Sequence, residues 1–442
     1  MSSTDAWDRA TPCLSSSFLA ARDEHCLVGE EATAVGVEPA NARRKSNVTV
    51  LVAAAARAEA FSAAELAAAI ADGVRATLTS ARVLQVPDID TGTCFIEQVA
   101  GLANGRIERI SLLGPHGELV LGQLGLIGGR DNLTAVIAAE EAVDLPRGMS
   151  HLHDPTSASS RAIGQLIVAA LDRGARRIIV GCGSSGTYDG GIGMAGSLGV
   201  RFFDAGRAEI VEAGGLLRLA AIDTSRRDPR LATVSIQAVV DPAQRLLGPG
   251  SIARTHGPGH GASPSQVLRI EHGLARFAKV VQEGLGMDVA ALPGAGAAGG
   301  LAAGLAAFAG ATVVSRSDFL DHFEALQANL AAADMVIIAG AATDATRESS
   351  PLPAGSDIGH ACAWLERKAA ALGLPVIALS LERLLETRQS EDNDQPAASD
   401  FAEADRAGRQ SLVRGSGTRL HAASAASLRR ALGGWQRPAE ST

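Results

Sequence analysis

The chain has 442 residues, a length that predicts two ordinary domains rather than one compact domain. Its hydrophobic fraction of 46% and charged fraction of 20% are typical of a globular protein, and its low aromatic fraction of 3% indicates close packing of helices on sheets. The net charge of -8, without a block of Lys or Arg, excludes the basic surface of a nucleic-acid-binding protein.

Two further features concern the compartment. The five cysteines are scattered and none lies in a CxxC pair, which argues against a disulfide framework and against a zinc site. No run reaches about 18 apolar residues, and the N-terminal "MSSTDAWDRA" lacks a basic region followed by an apolar core. We therefore expect a cytoplasmic protein without a membrane partner.

The predicted elements begin near Val48, since residues 1–46 lack sustained periodicity and are expected to form a flexible extension. "VTVLVAAAA" predicts a buried strand. "SAAELAAAIADGVRATL" predicts a helix, with Ser62 and Glu65 at the spacing of a capping box. "RIERISLLG" and "GELVLGQLGLIGG" then predict antiparallel strands separated by glycine turns.

Helices and strands alternate through the rest of the chain. "SSRAIGQLIVAALDRG" predicts a helix that ends near Gly174, and "ARRIIVGCG" predicts the strand after it. The alternation resumes from "SQVLRIEHGLARFAKVVQEGL" to "LPVIALS". Continuous apolar strands between helices are typical of parallel sheets that are covered on both faces. Residues 385–442 are predicted to be a polar linker and tail.

Three glycine-rich loops interrupt these elements: "GCGSSGTYDGGIGM" (loop 1, 181–194), "GPGSIARTHGPGHGA" (loop 2, 248–262) and "PGAGAAGG" (loop 3, 293–300). Glycine lets backbone N–H groups approach an anion closely, so a phosphate site is one interpretation. No loop fits the GxxxxGK[ST] pattern, and tight turns in a fold rich in Ala and Gly are the other interpretation.

The order and the sequences of these loops resemble those of the type I glycerate kinases, a family that phosphorylates D-glycerate with ATP and Mg²⁺. The family pattern GxGGSATNDGGxGM, followed by LGVRF, is similar to loop 1 and the "LGVRF" after it. The patterns DxxNPLxGPxGA and GPQKGASPE resemble "DPAQRLLGPGSIA" and "GPGHGASPS", and PGAGAAGG is identical to loop 3. The resemblance covers about residues 48–384.

The resemblance implies an α/β fold with two domains that close over a cleft. One is a doubly wound, mostly parallel, three-layer sheet domain of the Rossmann or flavodoxin-like type, built from both chain ends (47–95 and 287–384). The other is an inserted α/β domain with a mixed sheet (96–286). Glycerate and a nucleotide are the implied ligands, and a homodimer is left open.

The resemblance also implies the site residues. Asp189, Asp344 and His260 are the implied catalytic residues, although Asp189 is open to a second interpretation as an Asx-type turn that holds loop 1. No residue is assigned as a metal ligand, and the "HLHD" run at 151–154 is interpreted as a surface feature. The implied substrate- and nucleotide-binding residues are Gly183, Ser184, Ser185, Thr187, Gly190, Gly191, Gly294, Gly296, Asp88 and Asp241.

Several positions that are charged in the family pattern are neutral here. Phosphoryl transfer depends on cations and carboxylates around the transferred group. We therefore expect impaired glycerate kinase activity. The alternative is an inactive pseudokinase that keeps the fold to sense a metabolite or nucleotide, or to bind a protein. The replacements are Ala55 and Thr91 for acids, Ala58 for lysine, Ala138 and Gly340 for glutamates, Ala342 for arginine and His260 for lysine; in addition, Tyr188 replaces asparagine.

Overall fold

A computed structural model describes residues 48–55, 63–87, 89, 91–92, 94–143, 154–183, 185–339 and 360–379. The predicted N-terminal extension, the capping box at Ser62 and the polar tail lie outside these residues.

Strands and helices alternate along the described chain. The helices are α1 (Ala63–Thr77), α2 (Phe95–Leu102), α3 (Ala139–Val143), α4 (Arg161–Asp172), α5 (Ile192–Ser197), α6 (Ile252–Thr255), α7 (Pro264–Leu285), α8 (Ala297–Gly304), α9 (Arg316–His322), α10 (Glu324–Ala332) and α11 (His360–Ala371). The strands are β1 (Thr49–Ala54), β2 (Arg82–Pro87), β3 (Arg106–Leu113), β4 (Leu119–Ile127), β5 (Thr134–Ala138), β6 (Arg177–Gly181), β7 (Arg201–Asp204), β8 (Leu219–Asp223), β9 (Ser235–Val240), β10 (Thr312–Ser315), β11 (Met335–Ala339) and β12 (Val376–Leu379).

These strands form two main sheets. Four parallel strands from both ends of the described chain lie in the order β12-β11-β1-β2. Six strands lie in the order β10-β9-β6-β5-β4-β3, where β3, β4 and β5 pair antiparallel and β5, β6, β9 and β10 pair in parallel. The predicted α/β fold, with a parallel sheet from both chain ends and an inserted mixed sheet, is confirmed.

One strand lies in a different sheet from the one that the predicted domain boundary implies. Strand β10 pairs with β9 in the six-stranded sheet, although the prediction assigned 287–384 to the same domain as β1. Its register joins Thr312 to Gln237 and Ser315 to Val240. The sheet built from the middle of the chain therefore extends at least to Ser315.

The apolar runs form these elements because both faces of the parallel strands are covered. Val50, Val52 and Ala54 of β1 pack with Leu66 and Ile70 of α1 in one cluster. The next residues along the strand face a second cluster, to which the six-stranded sheet also contributes through β5, β6 and β9. One apolar cluster therefore joins the two sheets.

Local capping sets the ends of the helices near the loops. Helix α4 ends at the predicted position, where Gly174 adopts a left-handed φ of 79°. Helix α7 begins at a capping box in which the Ser263 side chain accepts from the Gln266 amide, with Pro264 in the first turn. This capping box follows loop 2 directly and fixes where the loop ends.

None of the helices that the structure describes is both long enough and apolar enough to cross a bilayer.

Candidate functional site at the glycine-rich loops

The three glycine-rich loops meet at the carboxyl ends of parallel strands, the edge at which α/β sheets bind ligands. Loop 1 follows β6, and loop 2 lies after the neighbouring strand β9. Loop 3 leads into α8, and its Gly296 amide donates to the carbonyl of Gln244 just beyond β9, at 3.0 Å. Loop 3 is thereby fixed beside the other two.

Loop 3 packs on loop 1 through backbone contacts that only glycine permits. Gly299 has a φ of +67°, and a Cβ there would overlap the carbonyl oxygen of Thr187. The Gly190 amide donates to the carbonyl of Gly299 at 3.3 Å. A Cβ at Gly304 would overlap the carbonyl oxygen of Gly190. The glycines of loop 3 are therefore explained by close packing of the two loops.

Loop 1 also touches the four-stranded sheet. A Cβ at Gly183 would overlap the carbonyl oxygen of Thr91, which follows β2. Thr91, for which the resemblance implies a glutamate in the family, is buried. Loop 1 thus lies where the carboxyl ends of the two sheets approach each other. The predicted site residues Asp88, Ser184 and Asp344 lie outside the described residues.

The second half of loop 1 is organised around the carboxylate of Asp189, which is fully buried. One oxygen, Oδ2, accepts from the amide of Ser160 at 2.8 Å, from its hydroxyl at 2.9 Å, and from the Gly193 amide at 3.0 Å. The other, Oδ1, accepts from the Gly191 amide at 2.9 Å. In this arrangement the carboxylate holds the first turns of α4 and α5 together, which is the geometry of the turn-forming interpretation.

Burial raises the pKa of Asp189 above the usual aspartate range, and the hydrogen bonds from Ser160, Gly191 and Gly193 oppose that shift. The hydroxyl of Ser160 also accepts from the Met194 amide at 3.0 Å. The N–H groups of residues 190, 191, 193 and 194 therefore all have acceptors within the protein. The Ile192 amide donates to the carbonyl of Asp189 at 3.2 Å, so no amide from Gly190 to Met194 is left to donate to a ligand.

The first half of loop 1 differs, because four of its amides are not used in this way. The N–H groups of Gly183, Ser185, Thr187 and Tyr188 form no hydrogen bond within the described part of the chain. We call these four N–H groups the amide segment. All four residues are buried, and the hydroxyls of Ser185 and Thr187 lie 3.1 Å apart. Buried N–H groups nearly always have a partner, so the amide segment can accommodate an anion or ordered water.

A tyrosine and a histidine connect loop 1 to loop 2. The hydroxyl of Tyr188 lies 2.8 Å from Nδ1 of His260, which ends the short turn Gly257–His260. Tyr188 is 1% exposed, and burial raises the pKa of its hydroxyl well above the usual tyrosine value. His260 is half-buried, and the ring of His256 lies 6.5 Å away, centroid to centroid. Loop 2 thus places a half-buried imidazole beside Tyr188 of loop 1.

Two other predicted residues lie near the junction of β9 with loop 3. Asp241 is half-buried, and its Oδ1 accepts from the Ala243 amide at 2.9 Å, which forms a turn after β9. Gly294 adopts a φ of +75°, and a Cβ there would overlap the Val240 side chain. Both residues shape the backbone at this edge.

The described residues contain no group of three or more His, Cys, Asp or Glu side chains placed to hold a metal ion. Burial raises the pKa of the Cys182 thiol to about 12, which disfavours its nucleophilic thiolate form. The chemistry that the described site offers is therefore hydrogen-bond donation to an anion, from backbone amides, hydroxyls and one imidazole.

The structure brings most of the predicted loop residues together. They fall into two groups, which differ in whether their backbone amides have acceptors within the protein. Ser185 and Thr187 accompany the amide segment, whereas Gly190 and Gly191 belong to the half organised by Asp189. Sequence reasoning missed Ser160, whose place before an amphipathic helix was the available signal. It also missed the contact between Tyr188 and His260, which no local pattern indicates because 72 residues separate them.

Comparison with known proteins gives a consistent result. The model of the Glycerate kinase family matches residues 50–425. A glycerate kinase of Halalkalibacterium halodurans is 33% identical over 333 residues, which cover 75% of this chain and 85% of the relative. A glycerate 2-kinase of Escherichia coli is 34% identical over 307 residues, which cover 69% of this chain and 80% of that relative. A crystal structure of a protein assigned as glycerate kinase 2 from Salmonella typhimurium LT2 has a TM-score of 0.66 and 30% identity, covering 88% of this chain and 100% of that one.

Proposed function

Since this chain belongs to the glycerate kinase family, we propose that it phosphorylates D-glycerate to phosphoglycerate with ATP. The amide segment is the observation that carries this proposal. Four N–H groups that belong to buried residues and have no described acceptor lie at the carboxyl ends of parallel strands, which favours an anionic ligand. Both substrates of the proposed reaction carry such groups, as phosphates or as a carboxylate.

In this proposal, each group of described residues has its own role in binding the substrates. The amide segment and the hydroxyls of Ser185 and Thr187 bind anionic oxygens, and His260 adds a donor from loop 2. Asp189 keeps loop 1 in shape through its buried hydrogen bonds. In the proposal, Asp88 and Asp344 are acidic groups outside the described residues. Mg²⁺ that arrives with ATP would neutralise phosphate charge, and we assign no described residue to hold it.

We further propose that turnover is lower than in an ordinary kinase. Ala55 and Ala138 stand where the family pattern has charges, and both are fully buried in the apolar cluster between the sheets. Apolar side chains there cannot stabilise the charge of a transferred phosphoryl group. The same observation favours the second candidate function, a pseudokinase that binds a nucleotide or metabolite without transferring the phosphoryl group.

The test uses the full chain with D-glycerate and Mg-ATP, and it follows the formation of ADP and phosphoglycerate together. We expect both products at a rate below the usual kinase range of about 1–100 s⁻¹. Absence of product, with ATP or D-glycerate still bound in calorimetry, would contradict the kinase proposal and support the pseudokinase. A rate within the usual range would contradict impaired turnover.

A further inference from the structure

A cavity of about 610 Å³ lies beside the pair of helices that Asp189 holds together. Its walls come from the edge strand β3, from α4 and α5, and from β7 with the segment after it. Of the described residues of loop 1, Ile192 and Gly193 line the cavity, and both belong to the half organised by Asp189. The four residues of the amide segment do not line it, so the cavity is separate from the proposed anion site.

The wall of this cavity is largely apolar. Leu113 and Val211 are 39% and 54% exposed, so the cavity opens to solvent beside apolar side chains. Small-molecule sites in proteins have volumes of about 300–1,000 Å³ and are lined mainly by apolar residues. The cavity is thus suited to a ligand with an apolar body. Its buried apolar part is formed by Leu112, Ile192, Val200, Phe202 and Ile210.

The charges of the cavity indicate the polar end of the ligand. Four of the described lining residues are charged, and three of them have partners. Arg201 donates to Glu209 at 3.1 Å, and Asp172 pairs with Arg230 at 2.6 Å. Arg161 is half-buried, and its side chain forms no hydrogen bond or ion pair with the part of the chain that the structure describes. A cation without a partner beside an apolar wall favours an anionic ligand, and guanidinium groups bind carboxylates well.

The backbone that carries this cation is fixed by both helices. Arg161 is the first residue of α4, and its carbonyl accepts from the hydroxyl of Ser197 on α5 at 3.1 Å. A Cβ at Gly164 would overlap the carbonyl oxygen of Met194, so α4 and α5 are in close contact beside the cavity. A rigid wall loses little conformational entropy when a ligand binds.

We propose that this cavity binds a small carboxylate with an apolar body, of the kind represented by octanoate. Arg161 forms a charge-assisted hydrogen bond with the carboxylate, and the buried apolar wall takes the body of the ligand. A bound acid contacts α4 and α5, the helices whose first turns Asp189 joins to loop 1. The proposal goes beyond kinase activity and does not depend on it.

The test begins with three probes, octanoate, octanamide and acetate, each titrated into the full chain by calorimetry. Octanamide has the same chain length without the charge, and acetate has the charge without the chain. We expect octanoate to saturate a single site and octanamide to bind about tenfold more weakly, the usual effect of losing a charge-assisted hydrogen bond. Acetate should show no saturable binding. Saturating Mg-ATP or D-glycerate should leave the octanoate affinity within about twofold.

The first variant, Arg161→Met, removes the charge and keeps an unbranched apolar side chain. It should weaken octanoate about tenfold and leave octanamide unchanged. Arg269→Met is the matched control, because Arg269 is an exposed residue of α7 that does not line the cavity. It should leave the affinities for both probes unchanged.

The second variant, Gly196→Leu, fills the cavity from α5. Gly196 lines the cavity, and a Cβ there has nothing within 4 Å, so the leucine side chain can enter the open space. We expect it to weaken octanoate and octanamide alike. Gly284→Leu is the control, since Gly284 of α7 has equally open space and lies outside the cavity lining. Thermal unfolding of every variant shows whether folding is retained.

Absence of saturable octanoate binding to the unchanged protein would overturn the proposal, and so would equal affinities for octanoate and octanamide. Equal effects of a cavity variant and its control, when both fold, would also overturn it. Competition by Mg-ATP or D-glycerate would contradict a separate site, because octanoate would then bind at the amide segment. Octanoate binding without formation of phosphoglycerate in the kinase assay would contradict the kinase proposal alone.

Discussion

Asp189 shows how a single buried side chain organises loop 1. Its two oxygens accept four hydrogen bonds from Ser160, Gly191 and Gly193, so the carboxylate satisfies donors at the starts of two helices. Each donor that loses its acceptor in a buried position costs about 1–3 kcal/mol. Asp189 is therefore expected to affect stability through the loop that it holds.

The change Asp189→Asn tests this role. Asparagine keeps the shape but has only one acceptor oxygen, so its amide hydrogens must face either the Gly191 N–H or the donors on Ser160 and Gly193. We expect the free energy of unfolding, measured in urea, to fall by about 1–3 kcal/mol. Asp172→Asn is the control, because Asp172 is exposed and pairs with Arg230 at the surface; it should cost less than about 1 kcal/mol. Equal stabilities for the two variants would contradict the role given to Asp189.

Tyr188 offers a spectroscopic test, because it is the only tyrosine of the chain. Near-ultraviolet absorbance of tyrosinate therefore reports this residue alone. In the folded protein we expect no ionisation near pH 10, the usual tyrosine pKa, because burial raises the pKa. The chain unfolded in denaturant should titrate at the usual value.

A linked effect on stability follows. Between the two pKa values the unfolded chain has released the tyrosine proton and the folded protein retains it. The stability that this group contributes is therefore complete below about pH 10 and is lost as the pH rises further. A tyrosinate signal that appears near pH 10 in the folded protein would contradict the buried hydrogen bond.

At the scale of elements, the loops fit together because glycine backbones approach each other. Loop 3 carries positive φ at Gly294, Gly299 and Gly300, and it meets loop 1 at Thr187 and Gly190. Loop 1 in turn meets the end of β2. The backbone of the amide segment is thus held by packing from loop 3 and from the four-stranded sheet.

Gly299→Ala measures this packing. A Cβ at this position would overlap a backbone carbonyl, in addition to the strain of the positive φ. Gly286→Ala is the control, since Gly286 has a similar φ of +71° with nothing within 4 Å of the added carbon. We expect the control to lose about 1–2 kcal/mol of unfolding free energy and Gly299→Ala to lose about 1–3 kcal/mol more. Equal losses in urea unfolding would show that the loops do not pack as described.

Many of the helices, strands and glycine-rich loops could be predicted from the sequence, because each depends on a local pattern of residues. The end of α4 near Gly174 and the antiparallel pair of β3 and β4 are examples. The division of loop 1 into two halves could not be predicted. It depends on Ser160, 29 residues away, and on His260, 72 residues away, and such contacts exist only once the sheets bring the loops together.

At the scale of the whole molecule, the two sheets share an apolar cluster. Ala55, which follows β1, and Ala138, at the end of β5, are both fully buried in this cluster. The resemblance implies a charged residue at each of these positions. The cluster also receives Trp364 of α11, whose indole N–H donates to Asp321 of α9 at 2.6 Å. Packing rather than charge therefore joins the sheets at these positions.

Restoring the family residue with Ala138→Glu should destabilise the protein. A carboxyl group at a fully buried apolar position loses its hydration without a described partner, at a cost of about 2 kcal/mol or more. Ala370→Glu on the exposed face of α11 is the control and should change the unfolding free energy by less than about 0.5 kcal/mol. A stable Ala138→Glu variant with raised kinase activity would contradict both the packing argument and the proposed cause of impaired turnover.

The central claim is that the amide segment binds the anionic ligand while the Asp189 half of loop 1 only maintains the fold. Amide hydrogen exchange, followed residue by residue by NMR with saturating Mg-ATP or D-glycerate, tests it most directly. We predict that the amides of Gly183, Ser185, Thr187 and Tyr188 gain protection with at least one ligand. Those of Gly191 and Gly193 should be protected throughout. Unchanged exchange in the amide segment when either ligand is saturating, or ligand-dependent protection confined to Gly191 and Gly193, would contradict the claim.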